Sequence, residues 1–218
     1  MVDTKTTITA SNHIKLIQHN TARSTIPMHS CLETAVRNQI DCVLIQEPWV
    51  MQTDDSFSTV SHPAYYGLLP SGTSVRPRVA AFARKASRYV FTQRTDLGAD
   101  SDMLVLDVSG SDIETFQIVN IYNEKSLDDL VDGYTVQRSL QHYTLQKQTL
   151  VLGDFNAHHS WWNSDISNPI RCDQLIPWLE SNNMELVNEP DIKTFSRPNS
   201  TNSVKENPPP QHHNHKEF

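Results

Sequence analysis

A chain of 218 residues, 37% hydrophobic and 20% charged, is long enough to bury one sizeable core and gives no reason to propose two. Its apolar stretches are only strand-length, which argues against a helical membrane span, and three scattered cysteines, Cys31, Cys42 and Cys172, exclude a disulfide framework or a cysteine-based zinc site. A formal net charge of −7 argues against a uniformly basic nucleic-acid binder, because phosphate contacts draw on Lys and Arg to release counterions.

In chain order, Met1 to His13 is polar and lacks an apolar run, so we expect a disordered start, no secretory signal and a nuclear or cytoplasmic protein. Ile14 to His19 reads as a short strand. His29 to Gln39 reads as a helix, with Leu32, Ala35 and Val36 at i, i+3 and i+4. Asp41 to Gln46 is again an apolar strand, followed by strand-like runs at Val79 to Ala83, Arg88 to Thr92, Met103 to Val108 and Phe116 to Tyr122. Ser126 is placed to cap a helix, with Asp128 and Asp129 in the first turn, where the helix dipole favours negative charge. Thr149 to Leu152 is continuously apolar, the pattern of a strand covered on both faces. Ile170 to Ser181 has helical spacing, and Glu185 to Asn188 reads as one more short strand. Strands outnumber helices and helices fall between them, so a layered α/β sandwich is expected, with sheets inside and helices outside. Past Phe195 the chain turns polar and rich in Pro, Asn and His, a composition that cannot offset the entropy of ordering it.

Charge is unevenly placed. Between Ser56 and Thr95 there is no Asp or Glu, whereas Arg76, Arg78, Arg84, Lys85, Arg88 and Arg94 all fall there. Two readings stand: a local basic surface beside a site, or solvated charges with no shared role.

Chemistry concentrates at strand ends. Gly153-Asp154-Phe155-Asn156 follows the strand from Thr149, and residues two apart on an extended chain point the same way, which would turn Asp154 and Asn156 to one site and Phe155 to the core. A carboxylate beside an amide suits phosphate hydrolysis, the first to hold a divalent ion or orient water, the second to donate to a phosphoryl oxygen. A plain strand-to-loop turn favours the same residue types. Three other strands also end on polar groups: Asn20 in Gln18-His19-Asn20-Thr21-Ala22-Arg23, Glu47 in Gln46-Glu47-Pro48-Trp49, and Tyr122 in Asn120-Ile121-Tyr122-Asn123. Glu47 with Asn20 supplies oxygen ligands of the kind magnesium takes, and Tyr122 a neutral donor for phosphate.

Taken together, QHNxxR, IQEPW, VNIYN, LGDFNAHHSWW and KTF resemble the endonuclease/exonuclease/phosphatase (DNase I-like) family, and the Asn156-Ala157-His158-His159 run with Trp161 resembles more narrowly the endonuclease domain of non-LTR retrotransposon reverse transcriptases. That resemblance implies a four-layer α/β sandwich with two central mixed sheets over residues 14–203, incomplete at its C-terminus, and a disordered tail over 204–218. It implies magnesium- or manganese-dependent nicking of DNA by a monomer, away from membranes and associated with a reverse transcriptase in the full element. Carried over by position, Asn20 and Glu47 belong to the metal site, Tyr122 touches phosphate, Asp154 orients the attacking water and Asn156 supports the phosphoryl oxygens. Thr194, Arg23 and His159 fall on the substrate side. The pair His158 and His159 reads as positioning or packing in preference to metal binding, because magnesium prefers oxygen. Trp161 and Trp162 offer base stacking or core packing.

The pattern departs from the family after Ser203. Where it implies an Asp-containing strand and a closing Ser-Asp-His, this chain reads Val204-Lys205-Glu206-Asn207-Pro208, and His212, His213 and His215 have no predicted strand to hold them in catalytic geometry. The expectation is therefore an endonuclease impaired in turnover. The alternatives are a remnant that binds DNA or metal without turnover and, more weakly, a small-molecule phosphatase on the same fold.

Overall fold

The computed structural model describes residues 13–54, 56–97, 99–123, 135–146, 148–166 and 171–192. Strand β1 (Leu16–Asn20) leads into helix α1 (Thr25–Arg37), β2 (Cys42–Gln46), the hairpin β3 (Val50–Thr53) and β4 (Ser56–Thr59), β5 (Tyr65–Leu68) and β6 (Val79–Arg84). There follow β7 (Val90–Gln93), β8 (Met103–Gly110), β9 (Ile113–Tyr122), the short α2 (Thr135–Arg138), a 3-10 turn (Leu140–His142), β10 (Thr149–Asp154) and α3 (Leu175–Ser181).

Two four-stranded sheets result, ordered β1-β2-β6-β5 and β10-β9-β8-β7. Each is mixed: β1 runs parallel to β2 and β9 parallel to β10, while the remaining pairs are antiparallel. Period-two alternation builds the layers from there. On β2, Cys42 and Leu44 face the second sheet in a core shared with Val79, Ala81, Leu104, Leu106 and Ile118, while Val43 and Ile45 face Met28, Leu32 and Ala35 of α1. On the far side, Val105, Val119 and Ile121 pack against Val136, Leu140, Leu175 and Trp178. Helix, sheet, sheet, helix is the four-layer sandwich expected of the sequence.

Several boundaries differ. Helix α1 begins at Thr25, four residues before the expected start at His29, because Pro27 is tolerated in a first turn whose N–H groups have no intrahelical partner. Helix α3 begins only at Leu175 for the same reason: a helix running from residue 170 would place Pro177 in its interior. The hairpin β3–β4 and strand β5 escape a periodicity reading because they are four residues each and mostly polar or exposed. Among the described residues, Glu185 to Asn188 forms no strand; it pairs with no neighbour, and Leu186 and Val187 are exposed. Thr149 to Leu152 is not covered on both faces either. Strand β10 is half-buried at all six positions, since among the described strands it lies at an end of its sheet order. Among the described strands, β2, β6 and the C-terminal part of β9 are buried on both sides. The helix expected after Ser126 and the tail lie outside the described residues. No described helix is long and apolar enough to cross a membrane.

Candidate active site

Both parallel pairs point their C-terminal ends the same way, and loops leaving such ends are where layered α/β proteins gather functional groups. The register places Asn20 beside Gln46 in one sheet and Asp154 beside Tyr122 in the other. Across the gap, Asn20 Nδ2 donates to Asp154 Oδ2 at 3.0 Å, and the Tyr122 hydroxyl donates to Glu47 Oε1 at 2.6 Å. Gln18 Nε2 also reaches the Gly153 carbonyl at 2.9 Å. The four strand ends singled out in the sequence therefore meet, two from each sheet.

The backbone is unusually strained around them. Glu47 has φ +48° and Asn156 φ +46°, with Ala22 and Arg23 also left-handed. Asparagine tolerates that region; glutamate seldom adopts it, and such outliers persist where surrounding contacts over-determine them. Glu47 is held in this way: its carbonyl accepts the Arg23 N–H at 2.7 Å and the Thr21 hydroxyl at 2.8 Å, and its own N–H donates to the Arg78 carbonyl at 2.8 Å. Gly153, with φ +149°, lies so close to β9 that an added Cβ would fall on the Ile121 carbonyl.

Alternation does not carry past Asp154. The strand stops there and the chain turns, so Asn156 directs Nδ2 to the Asn123 carbonyl at 2.6 Å while its backbone N–H donates to Asp154 Oδ1 at 3.1 Å. Asn156 thus fixes the Asp154 carboxylate instead of standing parallel to it. Phe155 packs into the outer core, as expected. Asn123, quoted in its motif but given no role by sequence reasoning, ties the loop down: its Nδ2 donates to the Phe155 carbonyl at 3.0 Å and its Oδ1 accepts the Val136 N–H at 3.2 Å. Arg171, which no periodicity marks, donates to the Asn156 carbonyl at 2.5 Å.

His159 accepts the Trp161 N–H on Nδ1 at 3.2 Å and lies 5.7 and 5.5 Å, centroid to centroid, from the Trp161 and Trp162 rings. It organises the turn after the Asp154 loop. Trp162 packs on the outer core, and Trp161 is 41% exposed. Arg23 is exposed on the loop above Glu47, and Thr194 lies outside the described residues.

The arginine-rich run does not form one basic surface. Arg78 is largely buried and clamps Asp102 through Nε and Nη2, both at 2.6 Å; Arg94 clamps Asp96; and Arg88 lies over Tyr89 near Asp112. Lys85 follows the opposite end of β6, over Tyr66. Folding splits the run between the two ends of β6 and pairs much of its charge with acids from elsewhere in the chain.

Burial, then the hydrogen bond to Glu47, pushes the Tyr122 phenol above its ordinary range, so its hydroxyl remains a proton donor at neutral pH. Glu47 Oε2 and the second lone pair of Asn20 Oδ1, whose first accepts the Ala22 N–H at 2.9 Å, are hard oxygen donors beside Asp154. The described residues hold no cluster of three His, Cys, Asp or Glu. A carboxylate with an amide oxygen nevertheless suits a magnesium-class cation, which keeps several waters and takes few protein ligands.

Comparison with known proteins gives two matches. Residues 116–205 match the family model described as endonuclease-reverse transcriptase. No curated protein matches the chain. Among solved structures, the endonuclease domain of TRAS1, a telomere-specific non-LTR retrotransposon, superposes with a TM-score of 0.60 at 21% identity, over 84% of this chain and 77% of that one. The chain thus carries the endonuclease-reverse transcriptase pattern over residues 116–205 on a DNase I-like sandwich shared with a non-LTR retrotransposon endonuclease domain.

Proposed function

We propose that this domain hydrolyses a phosphodiester of DNA with the help of magnesium or manganese, nicking one strand as part of an element that also encodes a reverse transcriptase. One observation carries the reading: the paired contacts Asn20–Asp154 and Tyr122–Glu47 bring two carboxylates, an amide and a phenol from both sheets to one end of the sandwich. Glu47 Oε2 and Asn20 Oδ1 would hold the cation, which when bound would polarise the phosphoryl group.

The remaining work falls to the chain's own residues. Asp154 accepts one hydrogen bond on each oxygen, from Asn20 and from the Asn156 backbone, so its carboxylate is fixed in orientation with lone pairs left to align a water for attack. The second Nδ2 hydrogen of Asn156 is a donor for the developing phosphoryl charge; the Tyr122 hydroxyl, whose one proton rests on Glu47 Oε1, becomes a second by turning that proton to the phosphate. Arg23 and His159, on the loops that follow β1 and β10, are assigned to the substrate strand, as is Thr194.

Supercoiled plasmid with magnesium or manganese tests this. The unaltered chain is expected to give open circles, and Asp154→Ala to abolish them without changing the melting temperature. Plasmid retardation without nicking, unaffected by Asp154→Ala, would favour a non-catalytic DNA-binding domain. Release of phosphate from inositol or sugar phosphates, with plasmid left intact, would favour a phosphatase.

A further inference from the structure

We propose that Arg78 is a positioning residue of this site: clamped on Asp102, its guanidinium braces the Tyr122 ring and keeps the hydroxyl on the Glu47 carboxylate. The proposal rests on the functional reading above, in which Glu47 and Tyr122 belong to the active site.

Arg78 precedes β6 of the first sheet, and Asp102 precedes β8 of the second. The pair joins the sheets directly beneath the site. Both Arg78–Asp102 hydrogen bonds are 2.6 Å, and the side chains are 12% and 1% exposed. The guanidinium carbon lies 5.1 Å from the Tyr122 ring centroid, within cation–π range. Backbone bonds close the ring of contacts: Tyr122 N–H to the Asp102 carbonyl at 2.9 Å, Glu47 N–H to the Arg78 carbonyl at 2.8 Å, and Arg78 N–H to the Ser101 carbonyl at 2.8 Å. Arg138, from α2, donates to both Asp100 and Asp102 and locks the acidic side.

A buried ion pair is weak evidence of stabilisation, since desolvation offsets much of its attraction. Its placement here has a specific consequence. Tyr122 is the last residue of β9, with its ring in the core between the sheets, and the ring face at the site end meets the Arg78 guanidinium. Lysine cannot replace this arrangement, because a point charge neither forks onto a carboxylate nor stacks flat on a ring.

The test uses the whole chain with fluorotyrosine incorporated, Tyr122 being assigned by the resonance lost in Tyr122→Phe. Arg78→Lys and Arg78→Gln are compared with the unaltered protein by fluorine NMR and thermal melting; plasmid nicking is read for each of these and for both substitutions in the Tyr122→Phe background. Both variants are expected to split or broaden the Tyr122 line and leave the other tyrosines unmoved. Nicking kcat should fall on the order of ten- to a hundredfold with KM unchanged, as for small misplacements of catalytic groups, and the loss should vanish in Tyr122→Phe. A sharp Tyr122 line in Arg78→Lys, or an equal loss of kcat with and without the Tyr122 hydroxyl, overturns the proposal. Should Arg78→Gln fail to fold, Arg78→Lys, which retains the charge beside Asp102, decides alone. If the unaltered chain does not nick, the functional reading fails, and the fluorine line of Tyr122 still decides whether Arg78 braces the ring.

Discussion

Replacing Gly153 by alanine puts one methyl group where the two strands of the second sheet's parallel pair come closest. An added Cβ lies 2.8 Å from both the carbonyl carbon and Cγ2 of Ile121 and closer still to its carbonyl oxygen, and φ is +149°, a region almost confined to glycine. The backbone atoms of β9 cannot swing aside as a flexible side chain would, so relief requires β10 to move on the order of 1 Å or the peptide to rotate. Overpacking and backbone strain together are expected to cost about 2–4 kcal/mol, a large part of an ordinary domain's stability. The adjacent Asp154 would move with the strand and lose its 3.0 Å contact with Asn20, so nicking should fall on the order of a hundredfold. Urea unfolding followed by tryptophan fluorescence measures the first effect and plasmid nicking the second. Gly72→Ala is the control: its φ is +72°, but the nearest atom to the new Cβ is Ala99 Cβ at 3.6 Å, so only a backbone cost of about 1–2 kcal/mol is expected. If Gly153→Ala unfolds like the unaltered protein, the close approach of β10 to β9 has been misjudged.

Three further outcomes follow from particular contacts. Asn120 is fully buried and joins the sheets, donating to the Ala80 carbonyl at 3.0 Å and the Ile45 carbonyl at 3.3 Å and accepting from Gln46 at 2.5 Å; Asn120→Leu should cost about 2–4 kcal/mol in urea unfolding, and Asn120→Leu with Gln46→Leu should recover part of it, because no amide is then left unpaired. Glu47→Gln should weaken manganese or magnesium binding, titrated by calorimetry, more than His158→Ala does, since the hard ligand is the carboxylate; an equal or larger loss for the histidine variant would overturn the ligand assignment. The twin hydrogen bonds from Arg94 hold the Asp96 carboxyl at about 2, below the ordinary value of about 3.9, so this pair favours the folded state above about pH 4 and ceases to do so as the pH falls through about 2; Asp96→Asn should show a smaller drop in melting temperature over that interval, and a modest one because the pair is exposed.

Local pattern and tertiary packing divide this protein between them. Apolar, β-branched runs marked β2, β6, β8 and β9, and helical spacing marked most of α1, because the side chains each of these elements buries leave a pattern visible along the chain. Asn20, Glu47, Tyr122 and Asp154 could be singled out because polar groups at the ends of apolar strands are themselves a local signal. What the chain could not show in one dimension is which ends meet. The contacts Asn20–Asp154 and Tyr122–Glu47 span 134 and 75 residues, and they exist only because two mixed sheets stack with their parallel pairs in line. The same distance in sequence hid the partners of the arginines: Arg78 belongs to a run without acids, and only folding brings Asp102 to it. Composition therefore suggested a basic surface where packing had built a buried clamp. Strand β10 was misjudged in the opposite sense, because apolar content reports what a strand could bury, whereas its place in the sheet order decides what it does bury.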